Sequence, residues 1–447
     1  MRELRSLRRI TKRYLVNNVK NKLDSLFFTS HAWLAICDGA LQIAAMADAN
    51  LIFASPRRDK RSGMGISMIT TSKITTTDVK RYNKNRVFQL IYTAGKISRQ
   101  EIADALQLSL PTVNQNLKLL FDMGLLSYEG NFESTGGRKA QIISVNGAAR
   151  YTISVNLSDN GIKAAVLDLN CEVTGSMRVP AVFERGASYG ETVADTVMRL
   201  VEHTGIDSNA VLGVGITVPG IFDMENSTVV YAPTMGMKNY PMENIARLLP
   251  FECRGMNDAR SGAFAEFWFD RESHDKKEGK TYLMLNTGVG GSYIDSDNIR
   301  FGSHNRYGEF GHMTLYPGGR PCFCGKKGCF ESYVSARCLS SDMGITLDTF
   351  FEGLRNGNEE YKKVFDKYLD DLTTGINNLY IMSDGDVIVG GPVAAYLREY
   401  KDLICRMLVE KCSFEIDGSY LSFAKCTQQQ ADSGAALIFL ADFISSI

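Results

Sequence analysis

The sequence predicts a small basic winged helix-turn-helix followed by a larger, acidic α/β body. Three observations predict it. Charge is uneven: the 447-residue chain is neutral overall, yet residues 1–72 carry 12 Lys and Arg against 5 Asp and Glu, residues 73–150 carry 11 against 6, and residues 151–447 carry 27 against 39. Capped helical periodicities and a hairpin fill residues 83–145. After Arg150, strand-like runs alternate with amphipathic helix, the pattern of an α/β domain. A basic front on an acidic body is suited to meeting a polyanion. With 44% apolar and 22% charged residues, disordered and fibrous classes are excluded, and the length suits about two or three domains.

Residues 1–67 read differently from the rest. The apolar stretch HAWLAICDGALQIAAMADANLIFA, residues 31–54, is interrupted by Asp38, Asp48 and Asn50, so it makes no membrane span. It lies too far along the chain for a signal peptide. Met68 opens MITTSKITTTDVKRYNKNRVFQLIY, a polar lead-in to an amphipathic helix, and translation is expected to begin near it, with 1–67 an over-extended gene start. The expected domains are therefore 68–150 and 151–447, behind that extension. Ten cysteines without a secretory signal point to a reducing compartment, the cytoplasm.

From Asn83, the residues Val87, Phe88, Leu90 and Ile91 form one helical face, which Gly95 ends. Ser98 with Glu101 three positions on is a capping box for RQEIADAL. Ser109 caps a third helix with Pro111 in its first turn, Val113, Leu117, Leu120 and Phe121 on its apolar face, and Gly124 closing it. Its polar face is expected to carry Thr112, Asn114, Gln115, Asn116 and Lys118, which with Ser109 suit base edges and phosphates in a major groove. Two short strands, LLSY at 125–128 and QIISV at 141–145, make a wing whose Arg138 and Lys139 suit a phosphate or a narrow minor groove.

In the body, YTISVNL and GIKAAVLDL read as a strand, a turn and a second strand, and ETVADTVMRLVEHTG as a helix. A third strand ends in the turn Pro219-Gly220. Further on come MNDARSGAFAEFWF (256–269), LMLNTGVGGSYI (283–294), RYGEFGHMTLYPGGRPCFCGKKGCFESY (306–333) and VIVGGPV (387–393).

From about Met68 to the C-terminus these stretches resemble the ROK family of bacterial sugar kinases and sugar-responsive repressors, in the repressor arrangement of the xylose and N-acetylglucosamine type. EFGH followed by CFCGKKGCFE is the most specific part. The resemblance implies two actin-like (ribonuclease-H-like) α/β lobes around a sugar cleft. It implies sugar contacts at Asn257, Asp258, Glu309, His312 and Glu331, with Asp258 at the position of the kinase base. Where the family's kinases carry an Asp-x-Gly-Gly-Thr-Lys type loop, this chain reads Asn156, Leu157, Ser158, Asp159, Asn160, Gly161. Asp159 there would meet a phosphate with like charge, a repulsion of roughly 4 kcal/mol at about 4 Å. ATP binding is not expected, although the second glycine loop, TGVGG at 287–291, is kept.

His312, Cys322, Cys324 and Cys329 form H-x9-C-x-C-x4-C. Four N/S ligands suit a closed, structural tetrahedral zinc site without a catalytic water. A disulfide between Cys322 and Cys324 would close a strained loop.

These readings combine into a DNA-binding repressor of carbohydrate-utilisation genes that binds its operator as a dimer and is switched by a monosaccharide. The resemblance also admits control by a protein regulator. The alternative is an ATP-dependent sugar kinase carrying a DNA-binding domain.

Overall fold

The computed structural model describes residues 76–132, 139–270, 279–295, 298–300, 302, 306–414 and 416–447. The expectations for residues 1–67 and for Arg138 fall outside the described residues.

The chain opens with three helices, α1 (Thr76–Ala94), α2 (Arg99–Leu106) and α3 (Leu110–Asp122). Helix α1 begins seven residues before the apolar pattern at Asn83, and Thr77–Tyr82 lie exposed along it. At α2 the capping box forms: Glu101 N donates to Ser98 Oγ at 3.3 Å and Ser98 N to Glu101 Oε2 at 2.8 Å. Ser109 Oγ caps α3 by accepting from Thr112 N. Strands β1 (Leu126–Asn131) and β2 (Gln141–Val145) pair antiparallel, and Ile97 bridges to Ile143 as a short third edge. Arg99 ties α2 to this hairpin, with Nη2 donating to Tyr128 Oη at 2.7 Å.

The body contains two sheets of the same design. The first comprises β3 (Tyr151–Ser158), β4 (Gly161–Asp168), β5 (Val173–Val179), β6 (Val211–Val218) and β10 (Cys253–Asn257), in the order β10-β6-β3-β4-β5. β3, β4 and β5 are an antiparallel meander, and β6 and β10 add to β3 in parallel. Helix α4 (Ala187–Thr204) covers it with Val193, Val197 and Leu200. A smaller sheet of β7 (Ile221–Asp223), β8 (Thr228–Ala232) and β9 (Met237–Pro241) follows β6, and α5 (Glu243–Ala246) leads to β10. Helix α6 (Asp258–Phe269) then crosses to the second sheet.

That sheet comprises β11 (Lys280–Leu285), β12 (Val289–Asp295), β13 (Asn298–Ile299), β14 (Val387–Gly390) and β15 (Leu421–Phe423), in the order β13-β12-β11-β14-β15. The first three are again an antiparallel meander, and the other two again add to its first strand in parallel. Between β13 and β14 lie α7 (Glu331–Val334), α8 (Leu347–Arg355) and the long α9 (Glu359–Ser383), which buries Phe365, Leu369, Leu372 and Ile376 against the second core. Helices α10 (Pro392–Leu397) and α11 (Lys401–Lys411) separate β14 from β15. The chain closes with α12 (Gln428–Asp432) and α13 (Gly434–Ser446).

Helix α13 returns from the second lobe onto the first, packing on β6, β3 and α6. Its outer side meets the N-terminal helices: Leu437, Leu440 and Ile444 share one core with Val87, Phe88 and Ile91 of α1 and with Trp268 of α6. Cys171 is the polar centre of this seam, 3.3 Å from Tyr92 Oη and 3.2 Å from Trp268 Nε1.

Candidate functional site

The two sheets place equivalent turns across one cleft. The β3–β4 turn at 158–161 and the β11–β12 turn at 286–288 both line a cavity of about 810 Å³ between the lobes. Asn257, Asp258, Glu309, His312 and Glu331 all line it too.

Each arrives by local chemistry. Asn257 ends β10 and caps α6, its Oδ1 accepting from Arg260 N at 3.1 Å. Its Nδ2 donates to Gly220 O at 2.7 Å and to Asp258 Oδ1 at 2.9 Å, which holds the Pro219-Gly220 turn to the head of the helix. Asp258 is therefore fixed at the first position of α6. Burial raises its carboxyl from 3.8 to about 6, and the nearby Glu309 adds to the rise while backbone N–H groups oppose it. Burial also raises Glu309, against the pull of His312 and Arg260. Two carboxyls held above their ordinary range in one cleft are acceptors suited to hydroxyl hydrogens, and Asp258 is also suited to taking a proton.

Glu309 caps and His312 ends a single helical turn, Phe310–His312, laid on β12. A Cβ on Gly311 would stand 2.1 Å from Val289 O, so only glycine lets the turn sit there. Glu331 opens α7 and is buried, its Oε1 3.4 Å from His312 Nδ1.

Behind these residues, His312, Cys322, Cys324 and Cys329 converge, with their ligand atoms all within 4.8 Å of one another. Cys322 Sγ lies 3.8 Å from His312 Nδ1, and Cys324 Sγ lies 3.7 Å from Cys329 Sγ. A tetrahedral ion with bonds of about 2.3 Å has edges of roughly 3.8 Å, so the set fits a metal ion. Gly328 makes the fold of the knuckle possible: its φ is +85°, and a Cβ would stand 1.7 Å from Tyr316 O. Burial and the Glu331 carboxylate, which accepts from Cys322 Sγ at 2.8 Å, push the Cys322 thiol up, against the Cys324 backbone N–H. Glu331 and His312 thus touch both the cleft and the sulfur cluster.

In the β3–β4 turn, Ser158 Oγ donates to Gly161 O at 2.9 Å, and Arg178 Nη2 to Asn160 Oδ1 at 3.2 Å. Lys163 Nζ is paired with Asp432 Oδ2 at 2.8 Å, and Gln428 Nε2 donates to Asp432 Oδ1 at the same distance. The Lys163–Asp432 pair ties β4 to α12 along the lining of the cleft. Sequence reasoning missed it, because neither residue lies in a motif.

On α3, Asn114, Gln115 and Lys118 are exposed, Thr112 is half-buried, and Ser109 is exposed at the cap. Asn116 departs from expectation. It is buried, and its Nδ2 donates to Thr112 O at 2.8 Å. Three positions after Val113 and four before Leu120, it sits on the core face, so it is not available to DNA. Lys139 is exposed two residues before β2. Among the described residues, no helix is long and apolar enough to cross a membrane.

A family model described as the ROK family matches residues 152–442. The chain is 25% identical over 354 residues to the xylose repressor of Caldicellulosiruptor bescii, a match covering 72% of this chain and 86% of that protein. It is 26% identical over 258 residues to the DNA-binding transcriptional dual regulator NagC of Escherichia coli, covering 58% of this chain and 63% of that one. Among solved structures, it is similar to a ROK family transcriptional regulator described as a homolog of the Escherichia coli MLC protein, with TM-score 0.65 and 20% identity over 82% of this chain and 97% of that chain. The ROK hexokinase from Thermus thermophilus matches with TM-score 0.56 and 23% identity, over 66% of this chain and 99% of that one. At these identities the likenesses to solved structures show the fold.

Proposed function

The chain belongs to the ROK family, and from that premise we propose that it is a cytoplasmic transcriptional repressor of carbohydrate-utilisation genes, with operator affinity set by a sugar in the interlobe cleft. The N-terminal unit is read as a winged helix-turn-helix that binds operator DNA as part of a dimer. α3 enters the major groove through Ser109, Thr112, Asn114, Gln115 and Lys118, and the wing adds Arg138 and Lys139. The relatives named as a xylose repressor and as a DNA-binding transcriptional dual regulator support this reading.

One observation carries the proposal. Residues 428–447 line the cleft at one end, through Gln428, Ala431 and Asp432, and pack against α1 at the other, through Leu440 and Ile444. Lobe closure on a ligand that touches α12 must therefore move or stress the seat of α1. Two half-sites about one DNA turn apart tolerate little change in the spacing of their recognition helices. The same linkage requires operator DNA to weaken sugar binding by the factor that sugar weakens operator binding.

In this reading, Asp258, Glu309 and Glu331 accept hydroxyl hydrogens, Asn257 holds Asp258 in place, and His312 contributes its ring to the same wall. The metal is zinc, held by Cys322, Cys324, Cys329 and His312 in a closed set that supplies shape rather than reaction chemistry. A sugar-kinase activity is the rival, favoured by Asp258 held near pH 6 at the head of α6. The Lys163–Asp432 pair and Asp159 oppose it, since the lysine beside the β3–β4 turn is already neutralised and Asp159 would meet a phosphate with like charge.

Thermal-shift screening of monosaccharides, run beside an ADP-release assay, tests both. A ligand at 100 times its Kd adds about 2.7 kcal/mol of stability. Stabilisation without ADP release is expected; robust turnover would make the protein a kinase.

A further inference from the structure

We infer that the cleft takes an uncharged glycoside of at least two sugar units, the second seated between the β3–β4 turn and α12. This rests on the sugar-cleft reading above and goes beyond it in the class of ligand.

Size is the first ground. One pyranose displaces about as much volume as six waters, roughly 180 Å³ at ~30 Å³ each. The cleft encloses about 810 Å³. Asp258, Glu309, His312 and Glu331 interact with one another, and a single ring of that size bonded to them fills about a quarter of the volume.

The chemistry around the β3–β4 turn and α12 is the second ground. Asp432 Oδ2 accepts from Lys163 at 2.8 Å, while its Oδ1 accepts from Gln428 at 2.8 Å and from Asn156 Nδ2 at 3.5 Å. Of the two cations at this end, Lys163 is neutralised by Asp432, and Arg178 donates to the amide oxygen of Asn160, holding the turn while keeping its own charge. Asp159 adds an exposed negative charge. A phosphate brought here meets like charge at Asp159, and to gain Lys163 it would have to break the ion pair that ties β4 to α12. A hydroxyl-rich, uncharged ring meets amide, hydroxyl and carboxylate groups, each able to exchange a hydrogen bond with it. Nucleotides and sugar phosphates are disfavoured by the same groups that suit a second sugar.

Access is the third ground. Tyr231 and Phe323 line the cleft and are 39% and 41% exposed, so apolar ring faces stand at the mouth of a polar site. Such faces hold the C–H side of a sugar ring while polar groups fix its hydroxyls.

Calorimetry on the full chain decides the matter. It would use matched pairs of monosaccharide and disaccharide (glucose with cellobiose and maltose, xylose with xylobiose, N-acetylglucosamine with its β-1,4 dimer), the 6-phosphates of glucose and N-acetylglucosamine, and a non-hydrolysable ATP analogue. At least one disaccharide is expected to bind ten-fold or more tightly than its monosaccharide, and Gln428→Ala to erase most of that advantage. Gln428 is exposed at the start of α12, so the substitution spares the core. Monosaccharides binding as tightly as every disaccharide would overturn the second subsite and leave the sugar cleft standing. Tighter binding of a sugar phosphate or of the ATP analogue would overturn it too. If no sugar of any length bound, the sugar-cleft reading would fall, and the second subsite with it.

Discussion

Asn85 Nδ2 donates a 2.6 Å hydrogen bond to the carbonyl of Ile444, tying the first helix of the N-terminal unit to the last turn of the C-terminal helix across 359 positions of sequence. A carbonyl in the last turn of a helix has no intrahelical partner, so Asn85 satisfies a group the helix cannot. The bond sits at the edge of the core formed by Val87, Phe88, Ile91, Leu440 and Ile444. It is the polar lock on an otherwise apolar seat, and under the proposed function it lies between the sugar cleft and the DNA-binding unit.

Replacing Asn85 with alanine should therefore cost about 1 kcal/mol in stability and, more tellingly, reduce the factor by which sugar changes operator affinity. Anisotropy titrations with and without sugar check it. An unchanged factor would place the coupling elsewhere.

Asp258 makes stability depend on pH in a definite direction. Its carboxyl sits at about 6 in the folded protein against 3.8 unfolded. Between those values the folded state holds more protons, so stability is fully present below about pH 4 and falls as pH rises to about 6. At about 1.4 kcal/mol per pH unit, the loss is at most about 3 kcal/mol. Asp258→Asn should flatten this segment of the curve and abolish sugar binding. Chemical denaturation at pH 4.5 and 7 compares the two proteins, and parallel curves would contradict the assignment.

How much of this could be read in advance varies with the range of the interaction. The capping box at Ser98 and Glu101 and the cap at Ser109 involve partners three positions apart, and they form as the sequence implies. The His312, Cys322, Cys324 and Cys329 set spans 18 positions, and two glycines fold it. Asn116 was legible but missed: helical spacing from Val113 already put it on the core side. Other features had no local signal. The matching strand order of the two sheets emerges from pairings between distant strands. The Tyr92–Cys171–Trp268 seam joins residues 79 and 97 positions apart. The Lys163–Asp432 pair spans 269, and only the return of the chain's last helices onto the first sheet brings it together.

The metal account predicts a single zinc per chain, lost on Cys324→Ser. Because His312 and Glu331 line both the cluster and the cleft, that variant should also lose its sugar response. Metal analysis by mass spectrometry and a thermal melt check it. A zinc-free protein that still responds to sugar would show that the knuckle does not shape the cleft.

The exposed face of α3 separates two kinds of contact. Lys118→Ala should weaken binding to all sequences alike and lower the salt slope by about one. Gln115→Ala should cost about 1–3 kcal/mol on the operator and relax base preference at one position. Asn116→Ala should instead lower stability, since its amide is spent inside the fold. Operator titrations at several salt concentrations distinguish the three.

The most direct test is operator affinity of the full chain, measured with and without a sugar that calorimetry has shown to bind. The account predicts that sugar weakens operator binding, and that operator DNA weakens sugar binding by the same factor. Identical operator affinity at saturating sugar would contradict it.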